Sequence, residues 1–321
     1  MKIYFIEEIK HTISFTQDLA KLLDSQRQAF IDYSKGLIYV PQPLQMTFTN
    51  PSGDCHIKAG VRAKDELFVV KIATGFYNNT NQGLPSIDGA FLLFSTKTGL
   101  LEAILCDGGY LTLLRTALAA GVAAQTTPFP INKIGIVGTG GLANLILQVL
   151  RLLFPSVAIQ VWGRNFVKAK SLVVDDPRIS TTNSISELLQ NSNLVITATA
   201  STKPIIHAKN ISDNVHIIAL GADEPGKQEL DASVFKMADQ VIVDSKEQAL
   251  RFGDSFHAMN AGIINSEKLE ELGKILITNS ITTSQTTIMI TDLSGIAAQD
   301  IAISSYVLNK IMIGKLKNTK L

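Results

Sequence analysis

The chain has 321 residues, 46% of them hydrophobic and 18% charged, and a formal net charge of +1. That length allows two domains of ordinary size with a large core. The near-neutral balance gives no global reason to expect nucleic acid or an anionic membrane as partner. Cys55 and Cys106 form no disulfide framework or metal-type pair. His11, His56, His207, His216 and His257 follow no zinc-site spacing, so no metal is expected. The N-terminal MKIYFIEEIK carries acids inside its apolar stretch and has no signal-peptide core. No apolar run reaches membrane-spanning length, and a soluble, cytoplasmic protein is expected.

Taken in order, Met1 to about Ala124 reads as an α+β domain. A short strand, Ile3 to Ile6, precedes a helix starting at Ser14 or Thr16, with Gln17 and Asp18 in its first turn. Leu19, Leu22, Leu23 and Phe30 recur there at helical spacing. Strand-like segments follow at Leu37 to Val40, Cys55 to Arg62, Leu67 to Thr74, Ala90 to Ser95 and Leu100 to Asp107, with Lys97-Thr98-Gly99 as a hairpin turn. These predict a mainly antiparallel sheet. Lys71 is a lone cation in an apolar strand. It is either a carboxylate ligand or acid/base group, or an edge-strand lysine reaching solvent. Arg115 is the one charge in the Leu/Ala-rich helix Tyr110 to Gln125. It suits a bidentate carboxylate clamp, or snorkels to solvent.

Beyond Pro128 and Pro130 the pattern changes. Lys133 to Val137 is a β-branched apolar strand, followed by Gly138-Thr139-Gly140-Gly141-Leu142-Ala143, a helical run to Leu153, and a strand Val157 to Trp162. Strand, G-x-G-x-x-A, helix and strand within about thirty residues is the context a dinucleotide fingerprint requires. Gly138 permits the turn, Gly140 admits a pyrophosphate beside the backbone, and Ala143 lets the helix pack on the strand. The anion then meets free N–H groups at the helix start. Arg164 stands where an NAD site carries a carboxylate, which favours NADP(H) over NAD(H). Helices at Phe166 to Val173 and Ser184 to Asn191 alternate with strands at Leu194 to Thr199, His216 to Leu220 and Gln240 to Val243, as in a parallel sheet. The loops Thr197 to Ser201 and Gly221 to Lys227 end two of these strands, where ligands bind in such sheets. Asp223 or Glu224 there could act as a general base, or be simply solvated. A last helix is expected over Ser294 to Ile313.

Gly83-Leu84-Pro85, Leu111-Thr112-x-x-Arg115-Thr116-Ala117, the glycine loop and Ala198-Thr199-Ala200 recur together here. So do Gly221-Ala222-Asp223, Pro225-Gly226-Lys227-x-Glu229-Leu230, and Asp292-x-x-Gly295 with Asp300. In these the chain resembles the ornithine cyclodeaminase/μ-crystallin family. The resemblance implies an α/β architecture: a Rossmann dinucleotide-binding domain over 126–291, plus an α+β substrate and dimerisation domain over 1–125 with 292–321, paired as a homodimer. It implies NADP or NAD as cofactor, with Gly138, Thr139, Gly140, Gly141, Leu142, Ala143, Arg164, Thr116, Thr199, Ala200 and Gly221 around it. Lys71 and Arg115 would hold the substrate carboxylate, Lys71 also serving as an acid/base group, and Asp223 matches the catalytic aspartate of the cyclodeaminases. The family's Pro-x-Arg arginine is absent: Val40-Pro41-Gln42-Pro43-Leu44-Gln45 offers Gln45, and Lys58 is the candidate replacement cation.

The leading expectation is oxidation of an amino acid such as L-ornithine to an imine, cyclisation with loss of ammonia, and re-reduction to proline. The alternatives are an NAD(P)H-dependent reductase of a cyclic imine such as Δ1-pyrroline-2-carboxylate, or a small amino-acid dehydrogenase. A non-catalytic nucleotide- or ligand-binding protein is the reading from another class.

Overall fold

The computed structural model describes residues 1–173, 176–283 and 287–318. The expected ranges 126–291 and 292–321 each include a few residues outside these. The chain divides into two units, Met1–Arg115 with Ile296–Leu321, and Thr116–Gly295.

The first unit runs through β1 (Lys2–Phe5), α1 (Ile6–Thr12), α2 (Phe15–Ser34), β2 (Ile38–Tyr39), β3 (Leu44–Thr49), β4 (Ser52–Arg62), β5 (Leu67–Gly75), β6 (Ile87–Ser95) and β7 (Leu101–Cys106). Helix α3 (Tyr110–Ala124) then leads the chain onward, and the C-terminal helix (Ala297–Asn318) belongs to this first unit. The sheet order is β1-β7-β6-β5-β4-β2, with β3 also paired to β4. Its ladders are antiparallel except β1 on β7, which is parallel. Propensity marks β1 as a strand but carries no information on its partner, so this pairing lay beyond sequence reasoning. Helix α1 was also not expected: only Ile9 is buried along it, so it has almost no apolar stripe to read. Helix α2 starts where expected, but Ser14 does not cap it through its hydroxyl. Instead the Asp18 carboxylate accepts the Ser14 N–H at 2.7 Å.

Strand alternation sorts this sheet into two faces. His56, Lys58 and Gly60 of β4, Val69 and Lys71 of β5, Phe91 and Leu93 of β6, and Ala103 and Leu105 of β7 turn one way. The C-terminal helix packs on that face. A Cβ on Gly60 would stand 3.1 Å from Ile301 and 3.3 Å from Ala297, so the missing side chain sets how closely helix and strand approach. The opposite face leaves Ile3, Phe5 and Ile72 exposed by 46%, 64% and 36%.

The second unit holds β8 (Lys133–Val137), α4 (Gly141–Leu153), β9 (Ala158–Trp162), α5 (Phe166–Leu172), β10 (Ile179–Thr181), α6 (Ile185–Asn191), β11 (Leu194–Thr197) and β12 (Val215–Ala219). It continues with α7 (Ala232–Met237), β13 (Gln240–Val243), α8 (Lys246–Ala249), α9 (Asp254–Asn260), β14 (Leu269–Glu271), α10 (Leu272–Thr278) and β15 (Ile288–Asp292). The order is β10-β9-β8-β11-β12-β15-β13-β14 and every ladder is parallel. From β8 the chain winds one way through β9 and β10, then returns to lay β11 on the other flank. The switch point therefore lies at β8 and β11, where an open parallel sheet binds its ligand.

Strand β15 is inserted between β12 and β13 and was missed, because a short apolar run gives no periodicity. Strand β11 stops at Thr197, short of the expected Thr199, because Thr199 bonds elsewhere. His216 is fully buried in β12, its ring nitrogens 2.9 Å from Thr127 Oγ1 and 2.8 Å from Thr291 Oγ1. Burial pushes its pKa down to about 3, which makes it a neutral structural histidine. No helix among the described residues is long and apolar enough to cross a membrane.

Candidate active site

In the first unit the inward face of β5 carries Lys71 into the protein, where it is only 2% exposed. An ammonium buried in this way must find an anion or lose its charge. Its Nζ lies 3.2 Å from Asp300 Oδ2, and Arg115 Nε lies 3.3 Å from Asp300 Oδ1. Asp300 sits in the first turn of the C-terminal helix, where the helix dipole favours an anion. Its neighbour Gln299 steadies the guanidinium: its Oε1 accepts Arg115 Nη1 at 3.2 Å and the Ile296 N–H at 3.1 Å. Lys58 of β4 is buried directly opposite Lys71 in the ladder. The structure thus brings Lys71, Arg115 and Lys58 together around Asp300.

The charges act on one another. Burial drives Lys71 toward its neutral form, Asp300 opposes this, and Arg115 and Lys58 push the same way as burial, leaving a pKa of about 7. Burial also disfavours the Asp300 carboxylate, but Lys71, Arg115 and Lys58 outweigh it and hold the group below the usual carboxylate range. Asp107, fully buried just after β7, accepts the Leu111 N–H at 2.7 Å at the start of α3. Burial raises it to about 6, against the pull of backbone N–H groups and Lys71. Sequence reasoning gave Asp300 no role beyond its place in a motif and passed over Asp107. The one available signal was an aspartate four residues before Leu111 at a helix start. Gln45 is not part of this cluster: half-buried on β3, it meets His56, with Nε2 3.3 Å from His56 Nδ1.

In the second unit the glycine loop follows β8 as the fingerprint requires. Gly138 has φ +139°, and a Cβ there would stand 2.5 Å from the Ala198 carbonyl oxygen, so the turn is pinned against the loop after β11. At Gly140 a Cβ would meet nothing within 4 Å. Open room beside bare backbone, at the N-terminus of the long helix α4, fits the phosphates of a dinucleotide. Gly141 opens α4, Leu142 is half-buried and Ala143 is fully buried. Thr139 packs beneath Gly163, whose Cβ would stand 2.4 Å from Thr139 Cγ2; Arg164 follows, exposed to solvent. Thr116 continues α3 beyond Arg115 and is half-buried.

Glu229 ties two loops together at the carboxyl end of this sheet. Its Oε1 accepts the Thr199 N–H and hydroxyl, both at 2.7 Å; its Oε2 accepts the Thr197 hydroxyl at 2.6 Å and the Gly221 N–H at 2.8 Å. Burial raises its pKa against these four bonds. A Cβ on Gly221 would fall 2.0 Å from the Thr199 carbonyl oxygen, so only glycine fits. Ala200 is exposed beside this junction. Asp223 lies two residues beyond Gly221, its side chain 42% exposed. The buried Lys227 ammonium holds it at 2.9 Å and Glu224 at 2.8 Å.

With this geometry in hand, the profile of the ornithine cyclodeaminase/mu-crystallin family matches residues 6–315. The chain belongs to that family. It is 31% identical over 313 residues to an uncharacterized cyclodeaminase of Sinorhizobium fredii, covering 95% of this chain and 94% of that protein. It is 26% identical over 292 residues to a Δ1-pyrroline-2-carboxylate reductase of Bacillus cereus, covering 88% and 89%. Among solved structures, an archaeal alanine dehydrogenase dimer with bound NAD superposes with a TM-score of 0.88 at 28% identity, over 98% of this chain and 96% of that one.

Lys71 generates a pH prediction. A carboxylate ligand placed on Lys71 and Arg115 restores the favour of the charged lysine and raises its pKa. Free protein above about pH 7 holds Lys71 largely neutral, so binding there takes up a proton. Calorimetric titration with an amino acid at pH 8, in buffers of different ionisation enthalpy, is expected to show uptake approaching one proton. Affinity should weaken as pH rises above 7, and Lys71→Met should abolish the uptake.

Proposed function

We propose that this enzyme is NAD(P)-dependent and acts on an α-amino acid, performing cyclodeaminase chemistry on L-ornithine or a relative. The observation that carries this reading is the buried Lys71–Asp300–Arg115 cluster, with a lysine poised near neutrality. Arg115 and Lys71, with Lys58 beside them, take the α-carboxylate, and Asp300 keeps both cations in place. The bound nicotinamide supplies a hydride acceptor for oxidation at Cα and the same hydride for the closing reduction. In the complexes where Lys71 is neutral, Arg115 and Lys58 alone hold the carboxylate and Lys71 accepts the proton released as the substrate amine becomes an imine. Asp223 then removes a proton from the side-chain amine as that nitrogen attacks the imine carbon. Ammonia departs, and the ring is reduced to proline without net redox change.

Gly138, Thr139, Gly140, Gly141, Leu142 and Ala143 would hold the pyrophosphate, with Thr116, Thr199, Ala200 and Gly221 lining the rest of the cofactor. A second reading, an NAD(P)H-dependent cyclic-imine reductase, is favoured by Gln45 in place of the family's arginine and by the similarity to the Bacillus cereus reductase. We place the protein in the cytoplasm, in keeping with two free cysteines.

Mixing the protein with L-ornithine and a trace of NAD⁺ or NADP⁺ is expected to release ammonia far in excess of cofactor, with no reduced nicotinamide accumulating. Asp223→Asn should bind cofactor yet lose ammonia release by about 100-fold or more. Absence of ammonia, with NADPH consumed on Δ1-pyrroline-2-carboxylate, selects the reductase.

Arg164 follows β9 where a 2′-phosphate would lie, and no carboxylate stands there, so NADP(H) is the preferred cofactor. Arg164→Ala is expected to weaken NADPH binding about tenfold while leaving NADH within about twofold, by fluorescence titration.

The exposed apolar face of the first sheet, and the dimer formed by the archaeal relative, support a homodimer. Sedimentation is expected to give a dimer, and Phe5→Glu to shift it toward monomer.

A further inference from the structure

Gln299 stands where a charged residue would cap its helix at least as well. It is the third residue of the C-terminal helix, and Ile296 comes just before that helix. The Gln299 N–H donates to the Ile296 carbonyl at 3.1 Å, and Gln299 Oε1 accepts the Ile296 N–H, also at 3.1 Å. This is the returning half of a capping box, where glutamate serves as well as glutamine and the helix dipole favours the anion. Gln26 of α2 braces the same residue from behind, its Nε2 donating to the Gln299 carbonyl at 3.2 Å. Both glutamines are buried. Among the described residues, Gln26 Oε1 and Gln299 Nε2 find no hydrogen-bond partner, a cost that an apolar side chain in either place would avoid. Packing alone therefore does not account for them.

What they act on is Arg115. Asp300 Oδ1 stands against its Nε and Gln299 Oε1 against its Nη1, from adjacent residues of one helical turn. A guanidinium is planar, so two such contacts fix its plane, and Nη2 is the nitrogen that neither residue meets. A glutamate at 299 would accept the same two N–H groups. It would also be a second buried anion on a cation that already faces Asp300, leaving the guanidinium less to offer a third carboxylate.

We propose that Gln299, held by Gln26, is a positioning residue that turns Arg115 to the substrate carboxylate, and that its neutrality reserves the guanidinium for that ligand. This rests on the reading that Lys71 and Arg115 hold the α-carboxylate.

Protein loaded with NADPH cannot oxidise an amino acid, so calorimetric titration with L-ornithine and with L-proline reads affinity alone. At pH 6 Lys71 is largely charged. Gln299→Glu keeps both accepted bonds and is expected to melt within about 2 °C of wild type, or above it, yet to bind both ligands about tenfold or more weakly at that pH. Its added charge also favours the Lys71 cation, so the loss of affinity that sets in near pH 7 should move up by about one unit. Gln299→Leu removes the bonds without adding charge; it should bind about tenfold more weakly, with the pH limit unmoved, and Gln26→Leu about threefold more weakly. A merely structural glutamine would tolerate glutamate and leave the pH limit where it is. A folded Gln299→Glu protein with wild-type affinity or an unmoved limit overturns the proposal, as does a folded Gln299→Leu or Gln26→Leu protein that binds as wild type does. The underlying reading fails separately, through a wild type that binds neither amino acid or an Arg115→Met protein that binds both unchanged.

Discussion

The buried carboxylate of Asp300 is the constraint on which the first unit's chemistry depends. Lys71 is 2% exposed and Arg115 6%, and neither charge could remain in such a place without a counter-ion. Asp300 serves both, from the first turn of a helix whose dipole helps it stay ionised. Its charge is not enough to hold two cations in full ionic form, so Lys71 settles near neutrality. An isolated surface lysine would stay charged throughout the physiological range. The same burial that costs folding free energy thus yields a group able to bind a carboxylate when charged and to accept a proton when neutral.

Glu229 fills the corresponding place in the second unit. Four donors converge on its two oxygens, from the last residue of β11 and from the loops after β11 and β12. A glutamine would turn an amide N–H₂ against a backbone N–H on one side, so the site calls for a carboxylate. Asp254 fixes the backbone beneath it, accepting the Glu229 and Leu230 N–H groups at 2.8 and 2.9 Å. The loops expected to line a dinucleotide are held by buried acids at the end of the sheet, and the glycines among them are required by close backbone approach. In both units the candidate site is built on carboxylates that water does not reach.

Much of this was legible in the residues. The parallel sheet around the glycine loop follows from a β-branched run, Gly-x-Gly-x-x-Ala and an apolar helix in immediate succession. That order leaves the backbone few alternatives. Lys71 and Arg115 stood out because a single charge in an apolar strand or helix needs an explanation. Gln45 was singled out by a motif position, yet its neighbour is His56, which alternation alone could not couple to Asp54 and Gln45. Strand β15, helix α1 and the parallel pairing of β1 escaped for a shared reason. Their local patterns are short or featureless, and their partners are distant in sequence.

Most local elements, the nucleotide fingerprint and the charges that had to be functional or paired are written in the residues themselves. Those properties depend on neighbours a few residues apart, on backbone sterics and on side-chain periodicity. Folding in three dimensions is what sets Asp300 against Lys71 and Arg115, Glu229 against Thr199 and Gly221, and His56 between Asp54 and Gln45. Gln299, next to Asp300, is 184 residues from the arginine it steadies. Such a contact joins two helices, α3 and the C-terminal one, and the second of these lies close to the sheet where Gly60 gives it room. The shifted pKa of Lys71 follows from desolvation and from charges gathered in space, which are properties of the folded chain.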